Sequence, residues 1–302
     1  MKNLLLLHLV VLIFGFTAIL GKLITIPSEQ LVWYRMFFAT CSLAVYLVVM
    51  KKSFKMKRIG ILKTIGVGFI IAAHWVFFFE AIKQSNVSIA LAATATGSLF
   101  TALLEPIFFK RKLHFYELLL GSIVLLGLYF IFQFETDNSL GIWLGVLAAF
   151  LASLFTVMNG QLIKQYDSTR ISFYELGGGV IAITLYFLIF SRSSLPNFQL
   201  SNFDWLWMLV LAIVCTAFAF VASVKVMEEL TPFTVSLSIN LEPIYGILLA
   251  LLIFGESEKM SPGFYIGTSL ILCSLFLNVW IKRRLKKKGY LINFAPLKDS
   301  VK

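Results

Sequence analysis

Residues 4–24 read LLLLHLVVLIFGFTAILGKLI, in which His8, Thr17 and Lys22 are the sole polar side chains. About 20 such residues suffice for a helix to cross the hydrocarbon of a bilayer. The run resembles a signal-peptide core, but no small-residue cleavage site follows it and another apolar stretch begins at once. It therefore reads as a retained first membrane helix. Nine further stretches of similar character follow, at 31–50, 59–82, 87–109, 113–134, 140–163, 171–190, 203–227, 232–254 and 262–281. The connections are short, which leaves no room for a separate aqueous catalytic domain. The predicted fold class is thus an all-α integral membrane protein with ten transmembrane helices.

Composition supports lipid as the solvent for most of the chain. Hydrophobic residues make up 59% of the 302 and charged residues 14%, with mean hydropathy +0.90, outside the balance of soluble domains. The net charge of +11 is spread in short runs between apolar stretches. No groove-reading or base-stacking context accompanies those runs, so nucleic acid is excluded as a partner. Their distribution instead sets orientation. Nineteen Lys and Arg fall on the side of the termini, including Lys51, Lys52, Lys55, Lys57 and Arg58, against four (Lys22, Lys83, Arg192, Lys259) on the other. The bias predicts a multi-pass protein of the cell (inner) membrane with both termini cytoplasmic. Arg283, Arg284 and Lys286 to Lys288 read as an anchor for lipid headgroups.

The opening stretch also carries a repeat. Thr17-Ala-Ile-Leu-Gly21-Lys-Leu23-Ile24 matches Thr156-Val-Met-Asn-Gly160-Gln-Leu162-Ile163 at an offset of 139, and Leu31-Val-Trp-Tyr34-Arg35 lies over Ile171-Ser-Phe-Tyr174-Glu175 at 140. Five spans per half is an odd number, so the second half enters the membrane upside down relative to the first. The expected organisation is a first five-helix repeat over 1–138, an inverted second repeat over 139–282 and a basic cytoplasmic tail over 283–302. The two Leu-Glu-Pro motifs, 104–106 and 241–243, are not mates. Pro106 is four residues from Lys110, whereas Pro243 is mid-span.

Ten spans in two halves, Arg35 in the second helix, and Glu242-Pro243 through Gly255-Glu256 to Gly267 together resemble the EamA family of the drug/metabolite transporter superfamily, over essentially the whole chain. The first half departs from the pattern, with Ser98 and Arg111 where the family often has Pro and Glu. The resemblance implies secondary transport, commonly efflux of amino acids, metabolites or toxic analogues, through a central cavity lined mainly by the first four helices of each half.

Ionisable and polar groups at membrane depth are functional candidates. Glu242 lies near the middle of 232–254, and Pro243 beside it is expected to kink the helix and free backbone carbonyls. With Asn240 and Ser238 these make the leading solute or proton site, unless Glu242 is a structural group bonded to a neighbouring helix. His74 and Trp75 in the third span are candidates for proton relay and solute stacking, with simple packing as the alternative. Thr94, Ser98, Thr101 and Glu105 recur at helical spacing on one face; that face is either cavity lining or a polar helix interface. Thr156 and Asn159 are similar. Arg35 and Glu80 fall near one end of adjacent helices, and Glu175 and Lys225, at offsets of 140 and 145, near the other. These four are expected to form two sign-swapped gate ion pairs, or else to snorkel separately to headgroups.

No metal or cofactor spacing, nucleophile motif or phosphate loop occurs. Cys41, Cys215 and Cys273 lie in three separate apolar stretches and read as small packing groups. The Asp residues are scattered in connections, at a span edge and in the tail, so a membrane enzyme or a non-transporting sensor or channel ranks below a carrier. The expected partners are a small-molecule solute, membrane lipids and, as a candidate coupling ion, the proton. No cofactor is called for.

Overall fold

A computed structural model describes residues 2–110, 112–191, 196, 198–230, 235, 238, 239 and 241–287. The described residues are helical with no strand. The helices are α1 (Lys2–Leu23), α2 (Ser28–Val49), α3 (Arg58–Gln84), α4 (Val87–Thr94), α5 (Gly97–Phe109), α6 (Phe115–Phe134), α7 (Ser139–Leu162), α8 (Ser168–Phe190), α9 (Asn202–Ala212), α10 (Ala219–Val226), α11 (Glu242–Phe254) and α12 (Pro262–Lys287). Among the described residues, eight segments are long and apolar enough to cross a membrane, from Leu5–Leu23 through Asn202–Val226. The predicted stretches up to 203–227 overlap these segments. The tail beyond Lys287 and Asn240 lie outside the described residues.

Helix starts follow local chemistry. Asn86 accepts a hydrogen bond from Ile89 N at 2.9 Å at the head of α4, Asp167 accepts from Thr169 N at 3.1 Å for α8, and Ser201 accepts from Asp204 N at 3.0 Å for α9. Each satisfies one of the donors that a first helical turn leaves free.

Two predicted continuous spans are interrupted. The span 87–109 breaks at Ala95-Thr96, where Thr94 Oγ1 and Thr96 Oγ1 donate to Leu91 O and Ala93 O at 3.0 and 2.7 Å. Hydroxyls that turn back onto the preceding carbonyls compete with the helix ladder. The span 203–227 contains a π-helical turn at Ile213–Phe218, in which Thr216 Oγ1 donates to Leu211 O at 2.7 Å. Such turns widen a helix by one residue and often mark functional sites. Near Pro243 the helix is interrupted as well: Ser238 and Ile239 are helical, Leu241 is the N-cap, and Pro243 lies inside the first turn of α11. Proline suits that position because its missing N–H is one that a first turn leaves unbonded.

α3 is the central helix and packs on α7 and α8, while α6 and α12 pack on each other at the edge. The α3–α8 crossing depends on Gly68. A Cβ there would meet Glu175 O at 2.1 Å, closer than any contact allows. Small residues at such crossings let membrane helices approach backbone to backbone.

Candidate functional site

A cavity of about 110 Å³ lies among α1, α2, α3, α4, α5, α7, α10 and α11. A single water needs roughly 10–15 Å³ on that measure, so the space suits a small solute with several waters. It runs from Arg35 and Trp75 to Asn159 and Met227, near the ends of α7 and α10.

Arg35 is the cavity's most informative residue. It is 2% exposed, and its Nε donates to Thr216 Oγ1 at 2.6 Å. The guanidinium carbon lies 3.8 Å from the centre of the Trp75 ring and 5.5 Å from that of Phe79. Its Nη1 is buried without a hydrogen-bond partner among the described residues. The π-turn thus has a local cause and a local use: it presents a hydroxyl that accepts from Arg35 while donating within its own helix. Glu242, in the first turn of α11, also lines the cavity. Arg35 and Glu242 line the same cavity but form no ion pair with each other. A fixed planar donor and a separate carboxylate across a small space match a solute bearing both signs of charge.

The walls are aromatic. Trp75 meets Phe220 edge-on at 5.9 Å, and Phe155 approaches Phe220 at 6.2 Å and His74 at 5.4 Å. His74 Nδ1 lies 2.8 Å from Ala148 O. A carbonyl only accepts, so Nδ1 carries the proton in that bond. The hydrogen bond pins the ring against α7.

Glu242, Pro243, His74, Trp75, Asn159 and Arg35 are all brought to this one cavity. Ser98 is not: it lines a second, smaller cavity with Glu117, Ser274 and Asn278. Thr101 is buried and lines neither. The expected polar face of the fourth span is divided by the break at Ala95-Thr96, which leaves Thr94 on the central cavity.

The two expected gate ion pairs are not formed. Arg35 turns inward to Thr216 and Trp75, while Glu80 accepts from Ser28 Oγ and Gln84 Nε2, both at 2.7 Å. Glu175 is fully buried and accepts from Asn159 Nδ2 at 3.4 Å, whereas Lys225 is exposed. Matching depth in the sequence did not imply facing sides of the helices.

A different ion pair, absent from the sequence reading, joins distant segments at the Ser28 end of α2. Lys22 Nζ lies 2.8 Å from Glu258 Oε1. Glu258 is itself fully buried and accepts from Val87 N, Ser88 N and Ser88 Oγ at 3.2, 2.9 and 2.8 Å. It therefore serves as a remote cap for α4, favoured by the positive end of that helix. Gly255, at φ +59°, ends α11 and turns the chain to deliver Glu258; that backbone conformation suits glycine. Nearby, Asp204 accepts from Thr25 N at 2.9 Å and Thr25 Oγ1 at 3.0 Å, and Lys83 donates to Ile26 O. No sequence pattern marked Glu258, because its partners are 170 or more residues away.

Comparison with known proteins agrees with this architecture. The sequence profile of the EamA-like transporter family matches residues 1–133 and 139–280. An uncharacterized transporter of Bacillus subtilis is 26% identical over 244 residues, covering 78% of this chain and 77% of its own. One of Archaeoglobus fulgidus is 25% identical over 200 residues, covering 66% of this chain and 70% of its own. A solved crystal structure superposes on 94% of this chain and 99% of its own with a TM-score of 0.71 at 15% identity, which shows a shared fold. The chain is a multi-pass membrane protein and belongs to the EamA-like transporter family.

Proposed function

We propose that the protein is a secondary active carrier, an exporter or exchanger, of small solutes such as amino acids and related metabolites. The observation that carries this reading is Arg35: a buried guanidinium at membrane depth, with Nη1 unpartnered, on a cavity that also holds Glu242. A charge in that position is costly unless a partner completes it. A solute carboxylate would complete Arg35, and a solute amine would complete Glu242, with side chain or ring lying against Trp75, Phe155 and Phe220.

The transport cycle proposed is alternating access around this cavity, by rocking of two inverted five-helix halves, 1–138 and 139–282, in a ten-span topology. The basic-residue bias orients both termini, with the tail from 283, to the cytoplasm of a cell bounded by this inner membrane. On that orientation the bonds around Lys22, Glu258 and Asp204 close the outer end, and Asn159 and Met227 mark the inner mouth. The cytoplasmic half is then the open one. Reconstituted protein loaded with an unlabelled amino-acid mixture tests the reading. Saturable counterflow of labelled amino acids is expected, and uptake no faster than in empty liposomes across amino acids, amines and carboxylates would contradict it.

A further inference from the structure

Behind the cavity wall, Glu175 on α8 is fully buried and at membrane depth. Its hydrogen-bond partner is the amide of Asn159, at 3.4 Å from Nδ2 to Oε2. Among the described residues the other carboxylate oxygen, Oε1, has no partner, and neither has the other amide atom, Asn159 Oδ1. Ser172 Oγ, one turn earlier on α8, is also unpartnered. Two acceptors are thus orphaned on the same two side-chain groups that already share one hydrogen bond. Buried polar atoms are rarely left so, and each asks for an explanation. One proton supplies it: placed on Oε1, it makes Glu175 a donor to Asn159 Oδ1 and closes an acid–amide pair with two hydrogen bonds.

Among the described residues no cation serves instead. α8 packs on α2, α3 and α10. Glu29 and Arg35 on α2, Arg58, Lys63, His74, Glu80 and Lys83 on α3, and Lys225 on α10 make neither an ion pair nor a hydrogen bond with Glu175. α7 carries no charged residue, and on α8 itself Arg170 donates to Lys55 O and Tyr174 to Phe54 O.

We propose that Glu175 and Asn159 form a proton-binding site, and that proton and solute compete for the Asn159 amide. Asn159 lines the solute cavity on one side and holds Glu175 on the other. A solute that bonds the amide from the cavity breaks the acid–amide pair. Glu175 then gives its proton to water, and the carboxylate formed re-protonates from water once the solute has left. Mutual exclusion of this kind yields exchange of proton against solute rather than co-transport. The coupling group is accordingly Glu175, outside the solute cavity. This step rests on the carrier reading above.

Two readouts separate the site from that reading. Infrared spectra of the full chain in liposomes at neutral pH are expected to contain a protonated-carboxyl stretch that Glu175→Gln removes and Asn159→Ala shifts. A spectrum in which Glu175→Gln removes no such band overturns the proposal, as does a Glu175 carboxylate band that responds to sodium at fixed pH. In proteoliposomes, counterflow of a labelled amino-acid mixture is expected to vary about tenfold or more across pH 5.5–8.5 in the natural protein and less than about twofold in Glu175→Gln. An unchanged pH profile in the variant overturns the proposal. Absence of counterflow in the natural protein refutes the carrier reading alone, and the infrared result then decides the site.

Discussion

The guanidinium of Arg35 lies 3.8 Å above the ring of Trp75, held there by a hydrogen bond from Nε to Thr216 Oγ1 at 2.6 Å. Stacking and the hydrogen bond fix the plane of the fork, and Nη1 is buried with no hydrogen-bond partner among the described residues. In the carrier proposed above, that arrangement is the receptor for the solute carboxylate, at a charge that membrane burial would otherwise make a liability.

Thr216→Val keeps the shape of the π-turn residue but removes the acceptor for Arg35 Nε. Weakening of solute half-saturation by about 10- to 100-fold is expected, the equivalent of about 1.5–3 kcal/mol for a hydrogen bond to a charged group. Thr216→Ser should recover most of it. Equal half-saturation in the natural and Val proteins would show that orientation of the fork is immaterial.

Lys22→Ala removes one partner of a carboxylate that is fully buried. Glu258 retains its bonds from Val87 N, Ser88 N and Ser88 Oγ, so folding should survive with a loss of about 1–3 kcal/mol. The closed end should open more often. In a background free of Cys41, Cys215 and Cys273, a Thr17→Cys probe on the cavity should react severalfold faster with a membrane-impermeant thiol reagent added outside. No change in that rate would remove the pair's role as a latch.

Gly68→Ala places a methyl against Glu175 O, at 2.1 Å without relaxation, and should cost about 1–3 kcal/mol through forced separation of α3 and α8. Gly66→Ala on the same helix meets nothing within 4 Å and should be neutral or slightly stabilising. Thermal unfolding in detergent of the two variants side by side reads the difference, and equal melting temperatures would contradict the close crossing.

Hydropathy made the apolar segments legible because length and composition alone decide whether a segment can span. The interruptions were not legible. At Ala95-Thr96 the break is made by threonine hydroxyls bonded to Leu91 and Ala93 carbonyls, and threonines read the same in an unbroken helix. The π-turn at Ile213–Phe218 has no compositional mark at all. Among the site residues, Glu242 and Trp75 stood out by type and depth, which a linear sequence carries. Arg35 also stood out, but as a gate charge near a helix end, because sequence gives depth and not the direction a side chain takes around the helix. Glu258 lay in a loop, where carboxylates are ordinary, and its burial comes from contacts with Lys22 and Ser88, more than 160 residues away.

The claim that Arg35 receives a solute carboxylate is tested most directly by competition in proteoliposome counterflow, comparing amino acids with the amines that lack their carboxylate, in the natural protein and in Arg35→Gln. The account predicts that the natural protein favours the amino acid by at least about tenfold, as one charged hydrogen bond requires, and that Arg35→Gln loses this preference. Equal competition by the amines in the natural protein, or a preference retained in Arg35→Gln, would contradict it.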